Sequence, residues 1–197
     1  MSTVDEDRIA RIEAHLAIQQ LAIRYACAVD VRDLDLMAAQ WVPDVWMGKA
    51  WGPGRDAVRR FFREILQSFY RSIHMIVGHR IDVLDADNAT GQVYCRAEHE
   101  SGSDWIVQAI IYDDTYRRVD DEWGFATRVH RHWYSAPIDA VPSGPTFEDW
   151  PGHEGSLPDL PHERPSWDRY WSAVDPAVVR ERTRYPRSPR PSEEGGR

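Results

Sequence analysis

Apolar positions in the first third of the chain recur at the helical period. Ile18, Leu21, Ala22, Tyr25 and Val29 keep i, i+3, i+4, i+7 spacing. Thr3 and Glu6 form a capping box upstream, so a helix is predicted from there to near Asp30. Asp33 is placed to cap a second, short helix, in which Leu34, Met37, Ala38 and Trp41 repeat the spacing and which Pro43 stops. Residues 44–51 read as a short strand closed by Gly52-Pro53-Gly54. Val58, Phe61, Phe62, Ile65, Leu66 and Phe69 then make one apolar stripe, with Arg59, Arg60, Arg63 and Glu64 turned outward, which predicts a third helix. After residue 72 the period falls to two. Residues 74–84, 91–100, 105–118 and 122–134 read as strands joined by short polar turns at Ala86-Asp87-Asn88, Gly102 and Asp120-Asp121. Consecutive strands with short connections make an antiparallel meander. Helices first and strands afterwards define the α+β class: three N-terminal helices against a curved, mainly antiparallel sheet.

The pattern breaks near residue 135. Eleven of the thirteen prolines lie beyond it, together with Trp150, Trp167 and Trp171. We therefore divide the chain into an α+β domain over 1–135, a Pro/Trp-rich extension over 136–185 that packs on the domain or a neighbour, and a disordered tail over 186–197. Within the extension, Trp167, Tyr170, Trp171, Val174 and Val178 suit a short amphipathic helix. A 42% apolar share is enough to build a core, and the net charge of −8 repels phosphate backbones, so nucleic acid is excluded as a partner. The acidic N-terminus lacks the apolar stretch of a signal peptide, and no run of eighteen apolar residues occurs. A cytoplasmic protein with no membrane partner is the expectation. Cys27 and Cys95 sit inside regular elements and read as two buried thiols rather than a disulfide framework. Ile111, Phe125, Val129 and Trp133 fall on the sheet face turned from the helices. An apolar face of that kind predicts a homo-oligomer, a dimer or trimer.

Four stretches carry a family resemblance: Arg24-Tyr25-Ala26 through Ala28-Val29-Asp30, with Asp33 following; Trp41-Val42-Pro43-Asp44; Ser72-Ile73-His74; and Tyr116-Arg117-Arg118 leading to Trp123-Gly124-Phe125 and Arg128. In this order, over residues 8–135, they resemble the nuclear transport factor 2-like superfamily and within it the SnoaL-like branch. The resemblance implies a cone-shaped α+β barrel. It is greatest to the dehydratases and dehydrochlorinases of that branch, which use an Asp at the end of the first helix and a His at the start of the first long strand. Asp30 and His74 occupy those positions. His99, Arg128 and Tyr25 match further pocket positions, although the dehydrochlorinases carry a Lys where Tyr25 stands.

The chemistry of these residue types fits that implication. A neutral imidazole takes up a proton near neutral pH, and a buried carboxylate on its other nitrogen fixes the tautomer and stabilises the imidazolium. Taken alone, Asp30 reads as a helix-end or loop residue capping the Asp33 amide, and His74 as a satisfied strand histidine. His99 ends the inward row Val93, Cys95, Ala97 on its strand. It is either a second acid or donor to substrate, or a histidine at the wet rim of a pocket. Arg128 shares a face with Gly124, Ala126, His130 and His132, where it binds an anionic oxygen or forms an ion pair with one of the many acids. Tyr25 is a donor to substrate or a core tyrosine, and Tyr112 is counted with the substrate-binding residues. His130 and His132 could pair on a metal, but no third ligand is evident and no metal is expected. His79, five residues after His74, falls on the opposite face and is expected to be exposed. No glycine-rich phosphate loop and no Gly-x-Ser-x-Gly elbow occurs, so no cofactor is expected. The expected function is a cofactor-free, dehydratase-type lyase acting on a hydrophobic cyclic, polyketide or steroid-like molecule. An isomerase or cyclase using the same pair, a non-catalytic subunit like those of ring-hydroxylating dioxygenases, and a ligand-binding module are the alternatives.

Overall fold

The computed structural model describes residues 3–139 and 165–173. A long helix α1 (Thr3–Val31), a short α2 (Leu34–Ala39) and α3 (Arg55–Ile65), extended by a 3-10 turn (Leu66–Ser68), precede four strands: β1 (Ser72–Val83), β2 (Asn88–Ser101), β3 (Asp104–Val119) and β4 (Glu122–Pro137). A further helix, α4 (Pro165–Ser172), holds Trp167, Tyr170 and Trp171 of the expected amphipathic stretch and buries none of its residues. The expected packing of 140–164, the extension beyond 173 with Val174 and Val178, and the disordered tail lie outside the described residues.

α1 buries the expected stripe, including Ile18, Leu21, Ala22, Tyr25 and Val29. Cys27 lies off that stripe and is exposed, whereas Cys95 is buried, which corrects the expectation of two buried thiols. The helix closes at Arg32, a non-glycine residue in the left-handed region at φ 61°. There Asp33 N donates to Ala28 O at 3.0 Å and Arg32 N to Val29 O at 3.2 Å, a Schellman closure. Asp33 then caps α2 by accepting from the Asp35 and Leu36 amides. α2 stops before Trp41, which instead pairs with Phe125 in a single parallel bridge.

Residues 44–51 form no strand. Their one ladder contact is a bridge from Trp46 to Pro53, and left-handed Gly48, Gly52 and Gly54 turn the chain too tightly for more. The strands pair in the order β1-β2-β3-β4, all antiparallel. The sheet is curved and open, with β1 and β4 at its edges, so it is not a closed barrel. Asp120 and Asp121, both at positive φ, make the two-residue turn between β3 and β4.

Three bulges change which side chains face inward. Val77 on β1, and Ala126 and Trp133 on β4, are each an extra residue between successive ladder pairs. The first turns His79 to the inner side, where it is half-buried rather than exposed. The second brings Phe125 into the core, fully buried, so it does not belong to the outer face. Ile111 is buried as well, and Val129 alone of the four residues expected outside is exposed. Other apolar side chains do stand out from β1 and β2: Ile73, Met75, Val77 and Tyr94. Two glycines permit close approach. A Cβ at Gly91 would lie 2.6 Å from Arg80 O and 3.0 Å from the Tyr116 ring, and one at Gly124 would lie 3.0 Å from Val42 N. Tyr116 and the 40–42 segment therefore lie flush against the sheet.

Candidate active site

Between the helices and the inner face of the sheet lies a cavity of about 430 Å³. Its two walls differ in chemistry. The helical side supplies aromatic and aliphatic groups, among them Tyr25, Val29, Trp41, Phe61, Phe62 and Phe69. The strands supply nearly all the polar ones: His74 from β1, His99 from β2, Gln108 and Tyr112 from β3, and Arg128 and His130 from β4. A neighbouring, more open cleft of about 570 Å³ shares Leu66 and Phe69 with it.

Asp30 and His74 meet at the edge of this cavity. His74 Nδ1 lies 2.7 Å from Asp30 Oδ1, and the His74 backbone N–H donates to Asp30 Oδ2 at 2.8 Å. The Ser72 hydroxyl donates to Asp30 Oδ1 at 3.0 Å. Arg32 Nη1 donates to Ser72 Oγ at 2.8 Å and to Val29 O at 2.6 Å, and Nη2 reaches the Phe69 and Tyr70 carbonyls. The end of α1 is thus tied to the start of β1 around the carboxylate. Asp30 caps nothing at Asp33, whose amide is already taken by Ala28. Burial pushes the Asp30 carboxyl up, but the hydrogen bonds from His74 and Ser72 outweigh it and hold the group below the usual carboxylate range. An ionised carboxylate on Nδ1 requires that nitrogen to carry the proton, which leaves the Nε2 lone pair of a neutral ring free to act as a base.

His99 is buried at 2% exposure, so it is no rim residue. Its ring lies 5.4 Å from that of His74 and 4.3 Å from that of Phe69. Burial, reinforced by His74, pulls its pKa down to about 3, so the ring is neutral at ordinary pH.

Of the two readings of Arg128, the structure shows the ion pair, but buried rather than at the surface. Its side chain is 3% exposed and its partner Asp114 is 0% exposed. Two parallel bonds join them, Nε to Oδ1 at 2.8 Å and Nη2 to Oδ2 at 2.6 Å. The guanidinium carbon also sits 4.2–4.3 Å from the ring centres of Tyr25, Tyr112 and Phe125. Burial would lower the Arg128 pKa, but Asp114 more than offsets this, so the guanidinium stays charged. Among the described residues none accepts a hydrogen bond from Nη1. The Tyr116 hydroxyl donates to Asp114 Oδ2 at 2.8 Å and lies 2.9 Å from His79 Nε2. Desolvation brings the His79 pKa down to about 4 despite the nearby Asp114.

Tyr25 and Tyr112 are both core and pocket residues. They meet edge to face at 5.8 Å, and burial raises both hydroxyl pKa values, against a lowering pull from Arg128. His132 is buried and bonded to the Ser135 hydroxyl, while His130 stacks beside it at 6.0 Å and is exposed. Among the described residues no three His, Cys, Asp or Glu side chains converge as a metal site would require. None of the described helices is long and apolar enough to cross a membrane. The sequence reading missed Arg32, Ser72, Gln108, Asp114 and Tyr116. For Gln108 and Asp114 a signal existed, since both are polar residues on the inward phase of a strand whose other inward positions are Ile106, Ile110, Tyr112 and Tyr116.

A two-layer α+β domain with a hydrogen-bonded aspartate and histidine beside an aromatic cavity defines the class of protein. The chain belongs to the SnoaL-like domain family, whose model matches residues 10–129, and through it to the nuclear transport factor 2-like superfamily. It is 28% identical over 147 residues to the gamma-hexachlorocyclohexane dehydrochlorinase of Sphingobium indicum, covering 72% of this chain and 92% of that protein. It is 27% identical over 128 residues to an uncharacterized protein of Mycobacterium tuberculosis, covering 61% and 86%. Among solved structures, the dehydrochlorinase LinA superposes with a TM-score of 0.61 at 25% identity, over 70% of this chain and 98% of that one. A scytalone dehydratase-like protein of Novosphingobium aromaticivorans gives 0.57 at 22% identity, over 73% and 99%, a likeness of fold.

Proposed function

We propose that the protein is a cofactor-free lyase that eliminates water from a hydrophobic cyclic molecule. The observation that carries this reading is the Asp30–His74 contact, with Nδ1 engaged and the imidazole among the residues lining the cavity. His74 Nε2 removes a proton from the carbon adjacent to the one bearing the leaving hydroxyl. The C–H electron pair becomes the new double bond as the C–O bond breaks. The imidazolium, stabilised by the Asp30 carboxylate, returns the proton to the departing hydroxyl, so water leaves and His74 ends neutral. His99, Tyr25 and Tyr112 contribute neutral donors to substrate oxygens, and the Arg128 Nη1 edge faces developing negative charge. The names of two relatives support the reaction class, since one is a dehydrochlorinase and another resembles a dehydratase.

The test is a panel of ring-substituted 3-hydroxycyclohexanones, followed by the ultraviolet absorbance of the conjugated enone. Turnover is expected to fall by roughly 10²–10⁴-fold in H74Q and by a comparable factor in D30N. Turnover that survives both substitutions overturns the acid–base reading. Saturable binding without turnover across the panel selects the ligand-binding alternative.

A further inference from the structure

Gln108 is the one inward-facing amide on β3, between Ile106 and Ile110. It is 3% exposed and lines the cavity. Among the described residues none accepts a hydrogen bond from its Nε2, which is itself buried. A buried donor left unpaired is costly, and a well-packed core replaces it with a hydrocarbon unless something outside the chain pairs with it.

The ladder register says where such a partner would sit. His74 pairs with Ala97, and Ala97 pairs with Gln108, so the three stand in one row across the sheet. Strands are ~4.8 Å apart, which sets the Cα atoms of His74 and Gln108 about 10 Å apart. Ala97 contributes only a methyl group between them and is fully buried. The imidazole and the amide therefore flank the Ala97 methyl on the cavity wall. Tyr25 and Phe62 line the cavity from the helical side and give a substrate ring apolar faces to lie against.

We propose that Gln108 selects the substrate: its Nε2 donates to the carbonyl oxygen of a cyclic ketone and turns the far edge of that ring toward His74. This rests on the reading of the cavity as a substrate pocket and names the class of molecule it admits. Gln108 acts on specificity, and a ring of equal size without the oxygen leaves the amide unpaired.

The experiment compares 1-indanone with indane, the same bicycle without the carbonyl, by calorimetry or ligand-observed NMR. Wild-type protein is expected to bind 1-indanone about tenfold more tightly than indane, the value of one buried hydrogen bond. Q108L is expected to bring the two affinities within about twofold, by loss of 1-indanone binding, and to unfold at equal or higher denaturant than wild type. An unchanged ratio in Q108L overturns the proposal, as does a Q108L protein less stable than wild type, which would make the amide structural. Preference for 1-indanol over 1-indanone would show an acceptor at this position and overturn the donor role, and so would failure of 1-indanone to saturate the wild-type protein. Because the ratio does not depend on His74 chemistry, failure of the elimination assay and failure of this assay are separate results.

Discussion

Asp114 and Arg128 lock together in an interior with almost no water, and the carboxylate has a third donor in Tyr116. Breaking such a pair from one side leaves a charge with no counter-ion, whereas replacing both members removes the desolvation cost together with the attraction. D114N is therefore expected to lose about 3–5 kcal/mol in urea unfolding, and the double replacement D114L/R128M to lose less than D114N alone. A double variant at least as unstable as D114N would show that the pair contributes more than it costs. At this scale the sequence is uneven as a guide. His99 could be placed inward because its strand neighbours alternate cleanly. Asp30 and His74 could be put together only through the resemblance, since forty-four positions separate them and nothing local announces the contact. Gln108 and Asp114 were legible in phase but not in partner, because a polar residue on an inward phase does not say what will face it.

The junction between α1 and β1 depends on Arg32. Its guanidinium donates to four acceptors, which hold the lead-in to β1 against the end of the helix, and its backbone accepts a left-handed conformation to do so. R32A is expected to cost about 1–3 kcal/mol in urea unfolding. It should also broaden or remove the downfield proton signal of an imidazole Nδ1–H bonded to a carboxylate, here His74 on Asp30. A sharp signal in R32A at the wild-type position would show that Asp30 and His74 hold each other without help. At element scale, the helices and the four strands were readable from periodicity to within a few residues. The bulges were not, because an extra residue such as Val77 or Ala126 looks like any other apolar residue in an alternating run. One such residue reverses the facing of the stretch on one side of it relative to the other, which is why His79, after Val77, and Phe125, before Ala126, were assigned to the wrong side. The segment 44–51 failed for another reason: apolar content suggested a strand where the glycines had already committed the chain to turns.

Across the described fold, His79 and His99 are held neutral by burial, and this shapes the response to acid. His79 and His99 titrate near 4 and 3 in the fold, against an ordinary value of 6.5. Between pH 6.5 and about 4 the unfolded chain binds protons that the folded chain refuses. Stability therefore rises with pH across that window and is lost as pH falls. The lowered carboxyl of Asp30 adds a further loss below the ordinary carboxylate range. Urea midpoints are expected to decline from about pH 6.5 downward, and H79Q to flatten the part of that slope above pH 4. Stability constant down to pH 5 would mean that both rings protonate freely in the native state. The contrast between the two walls of the cavity has a consequence for descent. The helical layer sets the room available, through Trp41, Phe61, Phe62 and Phe69, while the strands hold nearly every group that can exchange a proton or bind an oxygen. Codon changes in one layer alter which molecules enter, and changes in the other alter what befalls them. A lineage can thus reshape the cavity through its helices while leaving the polar lining of its strands in place.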